Sequence, residues 1–269
     1  MLIDCDRTLL NDNGLVTERT IKAIKGAIQN EVAIVFASGR ALGGIKNIVS
    51  TIGEEYLFDY FVCFNGGMIV RARDNQIISE TTMTVDDAIL IKDSIGCAPK
   101  NFYVVTSNKI ICYDYNEHAS IEAKKNGMQV TYENIRQLTA EEKIFKVVIA
   151  DEEKKINDIE RQIQKTLRQQ FNITRSEPNN IEIMPLLTSK GHALTRLADI
   201  LKVKLKETVC IGDSENDLSM LTLAGTSIAM GNASEKLKTI VDIITDSNNN
   251  DGVAKAIEKL ILSKAKPIH

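Results

Sequence analysis

Val32-Ala-Ile-Val-Phe-Ala-Ser-Gly-Arg40 decides the fold: six apolar residues run unbroken into Ser38-Gly39-Arg40. A short, β-rich apolar run closed by a glycine suits a strand covered on both faces, as in a parallel sheet. Met1–Cys5 before it and Phe61–Phe64 after it have the same character, the latter ending at Asn65-Gly66-Gly67. Between the first two, Val16, Ile21, Ile24, Ala27 and Ile28 recur at helical spacing behind Thr17, a helix N-cap. Strand, helix, strand and a further strand imply right-handed βαβ units.

The rhythm changes after Asn65-Gly66-Gly67. Met68–Val70 and Gln76–Ser79 flank a turn at 71–75, and 102–105 and 109–113 flank Thr106-Ser107-Asn108. Residues 173–175 and 181–184 enclose Glu177-Pro178-Asn179-Asn180, and helices are expected at 85–94 and 152–170, the second with Ile156, Ile159, Ile163 and Leu167 on one side. Hairpins with helices describe an antiparallel α+β module. After Pro185 the parallel pattern returns: a helix over 190–201, a strand Thr208–Ile211 ending at Gly212-Asp213, a helix over 218–224, strands at 227–230 and 242–244, and a last helix over 253–262. The expected organisation is α/β: a Rossmann-like parallel-sheet core from residues 1–81 and 187–269, with an inserted α+β domain at 82–186.

Composition narrows the function. The 269 residues carry 33 basic and 36 acidic side chains, a net charge of −3, so there is no basic surplus for a nucleic-acid backbone. No apolar run reaches the roughly 18–20 residues that span a bilayer, and the acids in MLIDCDRTLL exclude a signal peptide. Cys5, Cys63, Cys97, Cys112 and Cys210 are scattered without a C-x-x-C pair, which suits buried thiols in a reducing cytoplasm. His118, His192 and His269 fit no triad, and no G-x-S-x-G, G-x-x-x-x-G-K-[ST] or G-x-G-x-x-G is present.

Chemistry gathers at the strand ends. Ligands of open parallel sheets bind beyond the carboxyl ends of the strands, where Asp4-Cys5-Asp6-Arg7-Thr8, Ser38-Gly39-Arg40 and Gly212-Asp213-Ser214-Glu215-Asn216-Asp217 are expected; Ser189-Lys190-Gly191 opens a helix. Asp4, Asp6 and Asp213 brought together need a cation or raised pKa values, and oxygen ligands without clustered His or Cys suit Mg²⁺. Ser38 with the Gly39 and Arg40 amides forms an anion cradle, to which Lys190 adds positive charge. Metal, cradle and lysine together suit a phosphoryl group. Asp4, ending its strand, is the candidate nucleophile, and Asp6 the acid and base two residues on.

The four clusters resemble the motifs of the haloacid dehalogenase superfamily, in particular Cof-type phosphatases whose C2B-type cap lies between the second and third motifs. D-x-D-x-T is Asp4 to Thr8, the second motif is Ser38-Gly39-Arg40, the third-motif lysine is Lys190, and G-D-x-x-N-D runs from Gly212 to Asp217. Asn65-Gly66-Gly67 and Ala229-Met230-Gly231-Asn232-Ala233 are similar to further signatures of that family. The resemblance implies Asp4 as nucleophile and Asp6 as acid/base. It implies Mg²⁺ on the Asp4 and Asp213 side chains and the Asp6 carbonyl, with Asp217 supporting the metal shell. Phosphate would rest on Ser38, Gly39 and Lys190 near the Cys5 amide, with Asn216 contacting it or orienting Lys190. Arg7, Arg40 and Asn65 are candidate substrate contacts.

The expected activity is Mg²⁺-dependent hydrolysis of small phosphorylated metabolites, sugar phosphates among them, through an aspartyl-phosphate, by a monomer or weak homo-oligomer. Two departures stand out. Arg7 occupies a position that is usually Gly in close relatives, and only Met1-Leu2-Ile3 precede Asp4, so the first strand is short and the start of the chain open to question. They keep a catalytically impaired phosphometabolite sensor in view as a rival, beside a phosphomutase that returns phosphate to an isomeric product.

Overall fold

The computed structural model describes residues 1–53, 55–95 and 101–264; Cys97 and His269 lie outside them. In chain order the elements are β1 (Leu2–Asp4), α1 (Glu18–Gln29), β2 (Val35–Ala37), α2 (Leu42–Ile52), β3 (Tyr60–Cys63), β4 (Met68–Arg71) and β5 (Gln76–Glu80). Then come α3 (Val85–Ser94), β6 (Asn101–Val105), β7 (Lys109–Cys112), α4 (Glu117–Asn126), β8 (Gln129–Tyr132), β9 (Lys146–Ala150), α5 (Glu153–Leu167), β10 (Phe171–Glu177) and β11 (Asn180–Pro185). The chain closes with α6 (Lys190–Leu201), β12 (Val209–Gly212), α7 (Leu218–Leu223), β13 (Thr226–Ala229), α8 (Glu235–Lys238), β14 (Ile243–Ile244) and α9 (Gly252–Leu260).

These elements form two compact units. The first comprises Met1–Gly39, Ile45–Ile78 and Ser189–His269, the second Arg40–Gly44 and Ser79–Thr188. The second unit thus runs beyond the 82–186 insert read from the sequence and takes in 40–44, where the Ala41 N–H donates to Asn126 Oδ1 at 2.7 Å.

The first unit is built on an eight-stranded sheet of order β14-β13-β12-β1-β2-β3-β4-β5. Pairs from β14 to β3 are parallel, and β3–β4 is antiparallel. Leu2, Val35, Val62 and Cys210 pack in one apolar cluster with Ala193, Leu194 and Leu197 of α6 and Met220 of α7. Their strand neighbours Ile3, Phe36, Phe61 and Ile211 are fully buried as well, as a strand covered on both faces requires. β1 has only three residues, but it is central: Leu2 pairs with both Val35 and Cys210. The run at 32–40 forms a shorter strand than its composition suggests. Val32 instead bonds back to the last turn of α1, its N–H donating to Ala27 O at 3.1 Å, and pairing starts at Val35.

The second unit holds a six-stranded sheet, β10-β11-β9-β6-β7-β8. One face packs α3 and α5 through Ile91, Val104, Val147, Ile149, Ile156, Ile159, Ile163 and Ile183. Its pairs are antiparallel apart from β7–β8, which run parallel and are joined through α4.

Candidate active site

The strand order places β12, β1, β2 and β3 side by side and parallel, so their carboxyl ends share one edge. Asp4 ends β1, Ser38 follows β2, Asn65 follows β3 and Asp213 follows β12. The sheet thereby gathers residues that are up to 209 positions apart in sequence. Lys190 enters as the first residue of α6, behind the Ser189 N-cap, whose side chain accepts the His192 N–H.

Two glycines permit the close approaches. Gly66 has φ +102°, and a Cβ there would lie 2.3 Å from the Ser189 carbonyl oxygen, so the loop carrying Asn65 can lie against the start of α6 only with glycine. A Cβ on Gly212 would stand 2.5 Å from the Asp217 carboxyl carbon. That space lets Asp217 fold back, and its Oδ2 accepts the N–H groups of Asp213 (2.9 Å) and Ser214 (3.0 Å).

Asp217 Oδ1 accepts from Lys190 Nζ at 2.6 Å, and Lys190 also donates to Asp4 Oδ1. Lys190 is fully buried, so its charge is matched by contacts rather than by water. Burial works to lower its pKa, but the Asp217 and Asp4 carboxylates outweigh it and hold the pKa above the ordinary lysine value. Oxygens of Asp4, Asp213 and Asp217 lie within 4.8 Å of one another. Burial, above all, lifts the Asp4 carboxyl well above the usual carboxylate range; Asp217 and Asp213 add to the rise and Lys190 opposes it. Burial and the Asp217 charge push Asp213 up to about 6, against hydrogen bonds from Ser214 and Thr8. The Thr8 hydroxyl donates to Asp213 Oδ1 at 3.2 Å.

The remaining candidates take distinct places. Cys5 is buried and Asp6 half-buried in the turn Cys5–Leu9. Arg7 leaves this turn with its side chain 67% exposed and Nε 3.8 Å from Asp213 Oδ2, so it does not fill the turn. Ser38 is buried, its N–H on Val62 O, and the Asn65 N–H donates to Ser38 O at 2.8 Å. Asn216 Nδ2 donates to Asn65 Oδ1 at 3.0 Å, and the side chain of the fourth cluster that holds Lys190 is Asp217. Gly39 closes the first unit at this point, whereas Arg40 is grouped with the second. The sequence reading missed the Thr8 bond to Asp213 and the contacts of Asn232 and Asn248 on the first turn, which join segments more than 200 residues apart.

The chain matches the haloacid dehalogenase-like hydrolase family over residues 1–257. It belongs to that family. YxeH of Bacillus subtilis is 31% identical over 264 residues, covering 97% of this chain and 98% of its own. The 5-amino-6-(5-phospho-D-ribitylamino)uracil phosphatase YcsE of the same organism is 30% identical over 261 residues, covering 97% and 94%. Among solved structures, a haloacid dehalogenase-like hydrolase from Bacteroides thetaiotaomicron superposes with a TM-score of 0.83 at 26% identity, covering 97% of this chain and 98% of that one. The parallel-sheet core is the haloacid dehalogenase core, and the chain is a hydrolase of this family. No helix among the described residues is long and apolar enough to cross a membrane.

Proposed function

We propose that the protein is a Mg²⁺-dependent phosphatase that hydrolyses small phosphate monoesters, sugar and sugar-alcohol phosphates among them, through an aspartyl-phosphate on Asp4. The observation that carries this reading is the buried cluster of Asp4, Asp213 and Asp217 around a single buried lysine. Three carboxylates face the Lys190 ammonium and the more distant, exposed Arg7 guanidinium, an excess of negative charge that adds to burial, the larger cause, in raising Asp4 and Asp213. A small divalent cation removes that excess, and an all-oxygen donor set suits Mg²⁺ better than a softer metal. Asp4, Asp213 and the Asp6 carbonyl would hold it, while Asp217 is engaged with Lys190 and two backbone N–H groups. Mg²⁺ bound there supplies positive charge that keeps Asp4 ionised and neutralises the phosphoryl oxygens.

The protein's own groups then divide the work. An Asp4 oxygen attacks phosphorus, the bond from phosphorus to the leaving oxygen breaks, and Asp6 gives that oxygen its proton. Asp6, now a carboxylate, takes a proton from water as the water attacks the aspartyl-phosphate, which returns Asp4 and releases inorganic phosphate. Lys190, Ser38, Gly39 and the Cys5 amide hold the phosphoryl oxygens, and Asn216 with Asn65 borders them. Asp217 fixes Lys190. In this reading the second unit acts as the cap that selects the leaving group. Activity of the relative YcsE on a phosphoribityl compound supports a polyhydroxylated phosphate monoester. The four cysteines among the described residues, free and buried, fit a cytoplasmic setting.

The test is phosphate release from a panel of sugar phosphates, nucleotides and an aryl phosphate, with Mg²⁺ and with chelator. Metal-dependent release that is lost in Asp4→Asn, from a protein that still melts cooperatively, is expected. Release unaffected by chelator or by Asp4→Asn would overturn the proposal. Phosphate retained on an isomeric product would turn it towards a mutase.

A further inference from the structure

The turn that carries Asp6 contains a conformation its residue does not favour. Asp6 is extended (φ −73°, ψ 127°), and the chain then reverses at Arg7 in the left-handed region (φ 60°, ψ 6°). For a residue with a Cβ this costs about 1–2 kcal/mol that glycine avoids. The Arg7 side chain does little to hold it there, being exposed with one ion pair at 3.8 Å. The Arg7 carbonyl is held instead: Asn232 Nδ2 donates to it at 2.9 Å.

The Asn232 amide is itself oriented. Its Oδ1 accepts the Asn248 N–H at 3.0 Å, which turns the NH₂ group towards Arg7. Asn248 Nδ2 donates to Leu10 O (3.1 Å) and Asp12 Oδ1 (3.0 Å). Two asparagines therefore grip the carbonyls of residues 7 and 10 at the far end of the turn. They stand on a firm base, because the Gly231 N–H donates to Asp246 O and the Met230 N–H to Gly212 O, both at 3.0 Å.

We propose that Asn232 is a positioning residue: by holding the Arg7 carbonyl it keeps Arg7 left-handed and so places the Asp6 carboxyl. The inference rests on the role given to Asp6 above. Without the amide, Arg7 relaxes towards the right-handed region and the preceding Asp6 shifts, while Lys190 and Ser38 remain to bind phosphate. The loss falls on kcat rather than KM. A displacement near 1 Å can cost about 100-fold, so a kcat loss of about 10- to 100-fold is expected for Asn232→Ala. Asn232→Asp, which keeps the shape and loses the donor, behaves the same way. In an Arg7→Gly background the left-handed turn is free of strain, so removing the amide there costs less than about fivefold.

The experiment compares the parent, Asn232→Ala, Asn232→Asp, Arg7→Gly and Arg7→Gly/Asn232→Ala, measuring kcat and KM on an aryl phosphate at saturating Mg²⁺. Amide exchange across residues 5–10 is followed in parallel and is expected to quicken in Asn232→Asp. An equal loss in both backgrounds, a parent-like kcat in Asn232→Asp, or a change in KM alone overturns the proposal. A parent that releases no phosphate refutes the functional reading instead. The amide exchange then decides the brace by itself, and unchanged exchange in Asn232→Asp overturns it.

Discussion

Replacing Lys190 with Met removes the only positive charge that contacts Asp4 and Asp217 among the described residues, in a place water does not reach. Asp217 keeps its two backbone donors, the N–H groups of Asp213 and Ser214, but Asp4 loses the lysine that offsets its burial. Breaking a buried pair from one side costs about 3–5 kcal/mol, and protonation of Asp4 returns part of that. With about 1 kcal/mol so returned and about 2–4 °C per kcal/mol for a chain of this size, the melting temperature of Lys190→Met in chelator should fall by about 4–16 °C. The assay is thermal unfolding of parent and variant in chelator, with the exposed Lys236→Met as reference, for which a shift within about ±2 °C is expected. Addition of Mg²⁺ should recover more stability in Lys190→Met than in the parent, because the cation then meets an uncompensated pair. A fall under about 2 °C, no larger than the reference, would refute the claim that the lysine charge holds these carboxylates together.

Other outcomes follow from the same geometry. Gly212→Ala places a methyl group 2.5 Å from the Asp217 carboxyl carbon, so thermal unfolding should show a loss of about 1–3 kcal/mol, and the displaced Asp217 should release Lys190 and depress turnover. In the second unit, Lys146 is buried between Glu122 Oε1 (2.6 Å) and Glu182 Oε1 (2.8 Å), with the Tyr103 hydroxyl on Glu122 Oε2 at 2.7 Å. Burial works to raise the Glu122 pKa, but Lys146 and Tyr103 outweigh it and hold it below its ordinary value of 4.5. The stability from Glu122 is therefore present above that value and lost as pH falls through the lowered one. Lys146→Met should accordingly cost more at neutral pH than at pH ~4, read from melting temperatures across pH; an equal cost at both would contradict the pairing.

The parts legible in the sequence share one physical cause. β2, β3 and β12 are short apolar runs that end in turn residues, and a strand buried on both faces cannot be written otherwise. The candidate residues at the carboxyl edge follow these runs directly, so finding the strands found the candidates. By contrast, α4, with the sequence EHASIEAKKN, has no apolar stripe and escapes a reading by periodicity. Its local signals are its ends, the Asn116 cap accepting from Ala119 N–H and the left-handed Gly127. β8 follows it as a parallel partner of β7, a pairing that a hairpin reading does not anticipate.

The site divides in the same way. Asp4, Asp213 and Lys190 announce themselves by type and by position at element ends. That Asp217 rather than Asn216 takes Lys190 depends on α6 packing beside the turn at 215–217, a tertiary fact. The hold of Asn232 on Arg7 joins residues 225 positions apart, which no local pattern displays. The three-residue first strand is paired on both sides, with β2 and with β12, a placement no local pattern displays.

The most direct test of the central claim is to trap the covalent intermediate. Enzyme quenched during turnover of a phosphate monoester is reduced with borohydride, which converts an aspartyl-phosphate to homoserine, and the peptide spanning residues 1–10 is sequenced by mass spectrometry. The account predicts homoserine at position 4, dependent on both substrate and Mg²⁺. Sustained phosphate release with an unmodified Asp4, or with homoserine at another carboxylate, would contradict it.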